Sequence, residues 1–167
     1  MGFGDTFDQD YADVYRFAYR MLGHREGAED VVQEAFLRLA RKGMEHLAGE
    51  PRRRWLFVVA RNLCLSGYRQ RAKERTVSIE DSPSFPSSTL DPAQVSQQAE
   101  RAGMVRQAVA RLSPDLREVI VLREYEDMSY EQIAEIVKCP IGTVRSRISR
   151  AREELRRFLQ PLLEETL

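Results

Sequence analysis

Cysteine and histidine are scarce in this chain of 167 residues, with two of each. Cys64, Cys139, His24 and His46 fall at no spacing that a zinc site uses, which argues against a metal centre and leaves each cysteine as a small apolar residue for a core. Long apolar runs are missing as well. None approaches the roughly 18 residues that cross a bilayer. The N-terminus also lacks the basic-then-apolar pattern of a secretion signal, so the sequence predicts no membrane insertion and a cytoplasmic location. Strand-like alternation of Val, Ile and Thr is absent. So is any phosphate-cradling glycine loop, paired catalytic carboxylate or nucleophile with an adjacent base; neither a catalytic site nor a cofactor is expected.

Net charge is the last absence, and a misleading one. The chain carries 26 basic and 26 acidic residues, but they are segregated. Residues 1–50 hold six basic against ten acidic side chains, and residues 51–76 hold eight basic with Glu74 alone in opposition. Residues 77–100 have four acids and no base, and residues 138–157 have seven bases against Glu153 and Glu154. Two basic islands flanking an acidic spacer point to two contacts with one polyanion.

What is present is helical periodicity, most plainly in residues 112–152. Ser129 and Gln132 form a capping box that opens one helix, Lys138-Cys139-Pro140 makes a turn, and a second helix follows. At the roughly 100° per residue of an α-helix, Val144, Ile148, Ala151, Leu155 and Phe158 fall in one apolar stripe. Gly142, Arg145, Ser146, Ser149 and Arg150 occupy the opposite face, with Arg147 at the flank. This is the pattern of a helix-turn-helix whose second helix enters the major groove: guanidiniums bond guanine edges, and the remaining bases neutralise phosphates. Thr143, Arg145, Ser146, Arg147, Ser149 and Arg150 are the candidate DNA contacts.

Upstream, a helix is expected from Phe7 to Leu22 with Tyr11, Val14, Ala18 and Met21 inward, ended by Gly23. A second is expected from Glu26 to Lys42, with Val32, Ala35, Phe36 and Leu39 buried and Gly43 closing it. After a loop to Pro51, a third carries Trp55, Leu56, Val59 and Leu63 inward and runs out into a basic tail. Beyond it the chain turns rich in Ser, Pro and acid, the composition of a linker. Asp91-Pro92 and Ser113-Pro114 each look like a helix start. The reading is an all-α protein of two small helical domains, residues 1–75 and 101–167, joined by a flexible acidic linker, residues 76–100. Each domain is small for a private core, so mutual docking or a partner is expected to help both.

Two blocks carry a family resemblance. Residues 11–75, through Ala28-Glu29-Asp30-Val31-Val32-Gln33-Glu34-Ala35-Phe36-Leu37-Arg38-Leu39 and the stretch from Trp55-Leu56 to Ala60-Arg61-Asn62, resemble region two of the extracytoplasmic-function sigma factors of bacterial RNA polymerase. Residues 104–158, through Leu112-Ser113-Pro114, Met128-Ser129-Tyr130-Glu131-Gln132-Ile133-Ala134 and Cys139-Pro140-Ile141-Gly142-Thr143-Val144-Arg145-Ser146-Arg147, resemble region four. The resemblance implies a non-catalytic specificity subunit whose partners are core polymerase, promoter DNA and, commonly in the family, an anti-sigma protein. It implies that Asp30, Gln33, Glu34, Leu37 and Arg38 dock on the clamp of the largest polymerase subunit. It further implies that Asn62 reads an unpaired base of the minus-ten element, while Arg53, Arg54, Arg61, Arg69 and Arg71 hold phosphates. The candidate DNA contacts of the second helix would then read the minus-thirty-five element.

Trp55 and Tyr68 offer rings for base stacking, although Trp55 shares the apolar face of Leu56, Val59 and Leu63, which favours the core. Three residues depart from the family pattern: Arg52 where an aromatic is common, Ser66 where aspartate is frequent, and Lys138 where the turn commonly has glycine. The competing reading is a free-standing regulator that binds a palindromic operator as a dimer. A nuclease lacks the residues to carry chemistry.

Overall fold

The structure, a computed structural model, describes residues 3–44, 46–75 and 97–164. Among these residues the regular structure is helical throughout: α1 Phe3–Leu22, α2 Arg25–Arg41, α3 Gly49–Arg75, α4 Gln97–Arg111, α5 Pro114–Glu124, α6 Tyr130–Val137 and α7 Ile141–Glu164. The helix start expected at Asp91-Pro92 and residues 76–96 of the expected linker lie outside the described residues; residues 97–100 already belong to α4.

Helices α1 to α3 pack pairwise into an N-terminal unit. Gly23 turns the chain between α1 and α2 at φ +80°, a left-handed conformation that costs glycine little. His24 then caps α2, its Nδ1 accepting from the Gly27 amide at 3.0 Å. The core of this unit is Val14, Phe17, Ala18 and Met21 from α1, Ala28, Val31, Val32, Ala35 and Leu39 from α2, and Leu56, Phe57, Ala60 and Cys64 from α3. Two inner faces differ from expectation. Tyr11 is exposed and its ring meets that of Phe36 at a tilt of 49°, while Phe17 takes the interior place. On α3, Phe57 and Ala60 are buried and Trp55, Val59 and Leu63 only half-buried, because this helix is gripped from two sides. It packs against α1 and α2 and also against α6. The helix also begins earlier than expected, taking Pro51 into its first turn, where a missing N–H is harmless.

Arg52, the departure from the family pattern, lies inside this unit at 1% exposure. Its Nε donates to Asp10 Oδ2 at 2.7 Å and its guanidinium sits 5.2 Å from the centre of the Phe7 ring. The residue ties α3 to α1.

Helices α4 to α7 form the C-terminal unit around Leu112, Leu116, Val119, Ile120, Ile133, Ile136, Val144, Ile148 and Ala151. Ser129 and Gln132 make the reciprocal capping box at the start of α6, with distances of 3.1 and 2.9 Å. Lys138 ends that helix at φ 54°, ψ 50°, the left-handed conformation in which glycine would be unstrained. Pro140 opens α7, its carbonyl accepting from Thr143 and Val144.

The two units are in contact, α1 against α4 and α5 and α3 against α6, and their buried side chains form one continuous cluster. At the centre of this contact lies Arg117 of α5. Its guanidinium donates to the carbonyls of Met21, Ala110 and Leu112 and to the Tyr68 hydroxyl, joining the end of α1 and the C-terminal part of α3 to the C-terminal unit.

Candidate nucleic-acid interface

The apolar stripe of α7 faces inward as its spacing requires: Val144, Ile148 and Ala151 are buried, and Leu155 and Phe158 pack against the core at its edge. The outward face therefore presents Arg145, Ser146, Ser149 and Arg150, all exposed. Among the described residues Arg145 and Arg150 enter no ion pair, so their guanidinium donors remain available to acceptors on DNA. Ser146 donates its hydroxyl back to the Thr143 carbonyl at 3.0 Å, and Thr143 is half-buried at the first turn. Beside this face, Tyr130, Arg145, Ser149, Arg152 and Arg156 line a depression of about 330 Å³ with a predominantly cationic rim.

Arg147 is placed differently from its neighbours. Its side chain is 20% exposed and reaches Asp115 at 3.3 Å and Glu118 at 3.5 Å, both on α5. It fastens the recognition-like helix to the helix before it, with its charge turned toward protein.

The candidate residues of α3 divide in the same way. Arg69 is exposed on the C-terminal stretch of the helix, and the Arg71 guanidinium lies against the His24 ring. Arg53, Arg54 and Arg61 instead meet carboxylates of the C-terminal unit. Arg53 bonds Glu126 at 3.2 Å and also Asp13. Arg54 bonds Glu135 at 2.5 Å. Arg61 bonds Glu118 through Nε at 2.6 Å, and its Nη1 donates to the Asn62 carbonyl oxygen at 3.3 Å. Asn62 is itself exposed. Tyr68 is half-buried against Arg117, whose guanidinium donates to its hydroxyl, and burial pushes that hydroxyl's pKa up to about 12. Trp55 is half-buried, with Lys42 Nζ 5.9 Å from its ring centre.

Glu118 has 0% exposure and serves both arginines, Arg61 of α3 and Arg147 of α7. Burial raises its pKa, while the hydrogen bond and charge of Arg61 pull it back down. Glu126 is raised for the same reason, with Arg53 as the strongest opposing charge.

A third surface lies on the outer side of α2. Asp30, Gln33, Leu37 and Arg38 are exposed and Glu34 half-exposed, so the five candidate docking residues share one face. Glu34 and Arg38 pair at 2.6 Å one turn apart, beside Leu37 at 50% exposure. The apolar side chain is held open between charges, a usual makeup for a protein-docking patch.

Comparison with known proteins follows the same division. A model of sigma-70 region 2 matches residues 6–74, and one of sigma-70 region 4 matches residues 102–155. Over 97% of its length the chain is 35% identical to the ECF RNA polymerase sigma factor SigE of Mycolicibacterium smegmatis, of which it spans 63%. Over 91% of its length it is 34% identical to the RNA polymerase sigma-H factor of Pseudomonas aeruginosa, of which it spans 86%. The chain belongs to the extracytoplasmic-function sigma factors of the sigma-70 family. Its fold is similar to that of the sigma factor RpoE of Bartonella quintana, solved in complex with the anti-sigma factor NepR, with a TM-score of 0.72, 30% identity and coverage of 95% of this chain and 96% of that one.

In this sigma factor, region 2 is built by α1 to α3 and region 4 by α4 to α7. The acidic partners Glu118, Glu126 and Glu135 and the anchor Arg117 were not among the site residues that sequence reasoning singled out. One local signal was available: Arg117 and Glu118 stand between Leu116 and the apolar run Val119-Ile120-Val121-Leu122, where an unpartnered charge would be costly. No helix among the described residues is long and apolar enough to cross a membrane.

Proposed function

We propose that this protein binds core RNA polymerase in the cytoplasm and directs promoter-specific initiation as a non-catalytic specificity subunit. The carrying observation is that two separate family models, region 2 and region 4, fall in order on the two helical units. In this reading α7 enters the major groove of the minus-thirty-five element, with Arg145 and Arg150 as the free base-reading guanidiniums and Ser149 beside them; Thr143 and Ser146 border the contact. Arg147 contributes by fixing the angle of α7 on α5.

Region 2 docks on the largest-subunit clamp through Asp30, Gln33, Glu34, Leu37 and Arg38 and opens the minus-ten element. Arg53, Arg54, Arg61, Arg69 and Arg71 neutralise phosphates of the displaced strand, and Asn62 reads an unpaired base edge. Melting is driven by preferential binding of the single-stranded state, which must offset an unpairing cost of about a few kcal/mol. An anti-sigma protein is a further partner that the relationship to the Bartonella sigma factor makes part of this reading.

The test is run-off transcription by bacterial core polymerase on a promoter library, with and without the protein, followed by sequencing of the transcripts. Defined starts that depend on the protein, with two shared upstream elements, are the expected result. No starts, together with no binding to core in a pull-down, would return the free-standing operator-binding regulator as the better account.

A further inference from the structure

A glycine inside a helix is less favourable than an alanine, so each one asks for a reason. Gly27 of α2 has a reason within the protein: an added Cβ would lie 2.3 Å from Cε1 of His24, the ring that caps that helix. Gly142, the second residue of α7, has none. Its φ is not positive, so the backbone there suits any residue. It is exposed, and beyond its chain neighbours and its own helix an added Cβ would meet nothing within 4 Å. The fold would accept a side chain at this position and gain helix propensity from it.

What Gly142 does border is the outward face of α7. It stands about one turn before Arg145 and Ser146 and two before Ser149, on the side opposite the buried Val144, Ile148 and Ala151. A recognition helix meets base edges with its N-terminal residues. At the leading turn of such a helix, a bare backbone is the part that can come nearest to the groove. Adding a methyl group there sets a stand-off of about 1.5 Å, one carbon–carbon bond. Hydrogen bonds to base edges hold only over about 2.7 to 3.2 Å between heavy atoms, so a stand-off of that size breaks any contact that cannot follow it. The long side chains of Arg145 and Arg150 can extend to follow. The short side chain of Ser149 cannot.

We propose that Gly142 is the point of closest approach between α7 and promoter DNA, and that its missing side chain sets how deeply the helix seats in the major groove. This inference rests on the proposed reading of the minus-thirty-five element by α7. It adds a specificity-determining residue that acts by leaving space, where every residue assigned to that contact so far acts by filling it.

The test uses holoenzyme reconstituted from bacterial core polymerase and the full chain, on a promoter recovered from the library described above. Two templates are transcribed at one fixed salt concentration: the duplex promoter with its upstream element, and a pre-opened template that lacks the element. The readout is the ratio of starts from the first to starts from the second. Gly142→Ala and Gly142→Leu both introduce good helix formers, so they differ in bulk far more than in helix propensity. Gly103→Ala is the control, a half-buried glycine of α4 whose added Cβ would lie 3.7 Å from Arg106 Nη2, an ordinary contact away from the α7 face. The ratio is expected to fall at least about fivefold for Gly142→Ala and further for Gly142→Leu, and to hold for Gly103→Ala. Melting temperature is expected at or above wild type for Gly142→Ala. A melting temperature below wild type would show that the fold itself needs this glycine and would overturn the proposal. So would an unchanged ratio for both Gly142 variants. Arg145→Ala separates the two levels: if it lowers the ratio and the Gly142 variants do not, the closest approach alone fails. If none of them lowers it, the reading of the upstream element by α7 fails and this inference with it.

Discussion

Helices α7 and α3 both carry rows of arginine, and the two rows are held in opposite ways. On α7 the apolar stripe and the arginine-bearing face lie on opposite sides, so Arg145 and Arg150 are exposed and, among the described residues, enter no ion pair. On α3 the helix is contacted from two sides, and Arg53, Arg54 and Arg61 meet carboxylates of the neighbouring unit. The same guanidinium is a presented group in one place and a neutralised one in the other. The difference teaches that a basic island in a sequence records charge but not its availability; availability depends on which acids the fold brings opposite.

The largest way to break this comparison is to remove the anchor between the units. Arg117→Ala deletes donors to three carbonyls and the Tyr68 hydroxyl, and should destabilise the protein by about 3 kcal/mol, read as a lower urea midpoint. An unchanged midpoint would mean that these carbonyls find water or other donors and that the contact is incidental.

The α7 row can be sharpened residue by residue. Arg145→Ala and Arg150→Ala should each lose about 1 to 3 kcal/mol of discrimination at the upstream element, measured with point-mutated promoters, while pull-down of core polymerase is unaffected. Arg147→Ala should behave as a folding variant, lowering the melting temperature, because it strips one of two positive partners from the buried Glu118. Swapped phenotypes would show that α7 sits on α5 in a different register.

How much of this was legible beforehand varied with the range of the interaction. The capping box of Ser129 and Gln132 and the stripe of Val144, Ile148 and Ala151 are local patterns, and both are found in place. The inner face of α3 was misjudged around Trp55, Phe57 and Ala60, since a helix packed on two sides has no single apolar stripe to read. The pairs between α3 and the C-terminal unit had no local signature that names the partner; the charges beside the apolar run at Arg117 and Glu118 signal only that partners are needed. They join residues far apart in sequence, and only docking of the two halves makes Glu118 a partner of Arg61.

Smaller effects test the joints within each row's support. Lys138→Gly relieves a left-handed backbone at the end of α6 and should raise stability by about 1 kcal/mol in thermal melts. No gain would indicate that the Lys138 side chain offsets the strain. At the start of α2, His24 accepts from the Gly27 amide through Nδ1, with Arg71 against Nε2, so a second ring proton would break the cap. Burial and then the charge of Arg71 lower its pKa below the ordinary 6.5. A base shifted this way contributes fully above that ordinary value, and its contribution fades as pH falls from there through the lowered one. Melting at about pH 5.5 should therefore show a modest loss relative to about pH 7.5. His24→Asn, which keeps an acceptor without a titration, should lose less; an equal loss would assign the pH dependence elsewhere.

The inward turn of Arg147 has a bearing on how such a protein can change. Because that side chain secures α7 from its flank, the outer positions Arg145, Ser149 and Arg150 form a small alphabet that can be rewritten with little demand on folding. Under the proposed reading of the minus-thirty-five element by α7, new promoter preferences are reachable by substitutions at three exposed sites, and collections of variants for orthogonal gene control can vary those positions while holding Arg147, Asp115 and Glu118 constant.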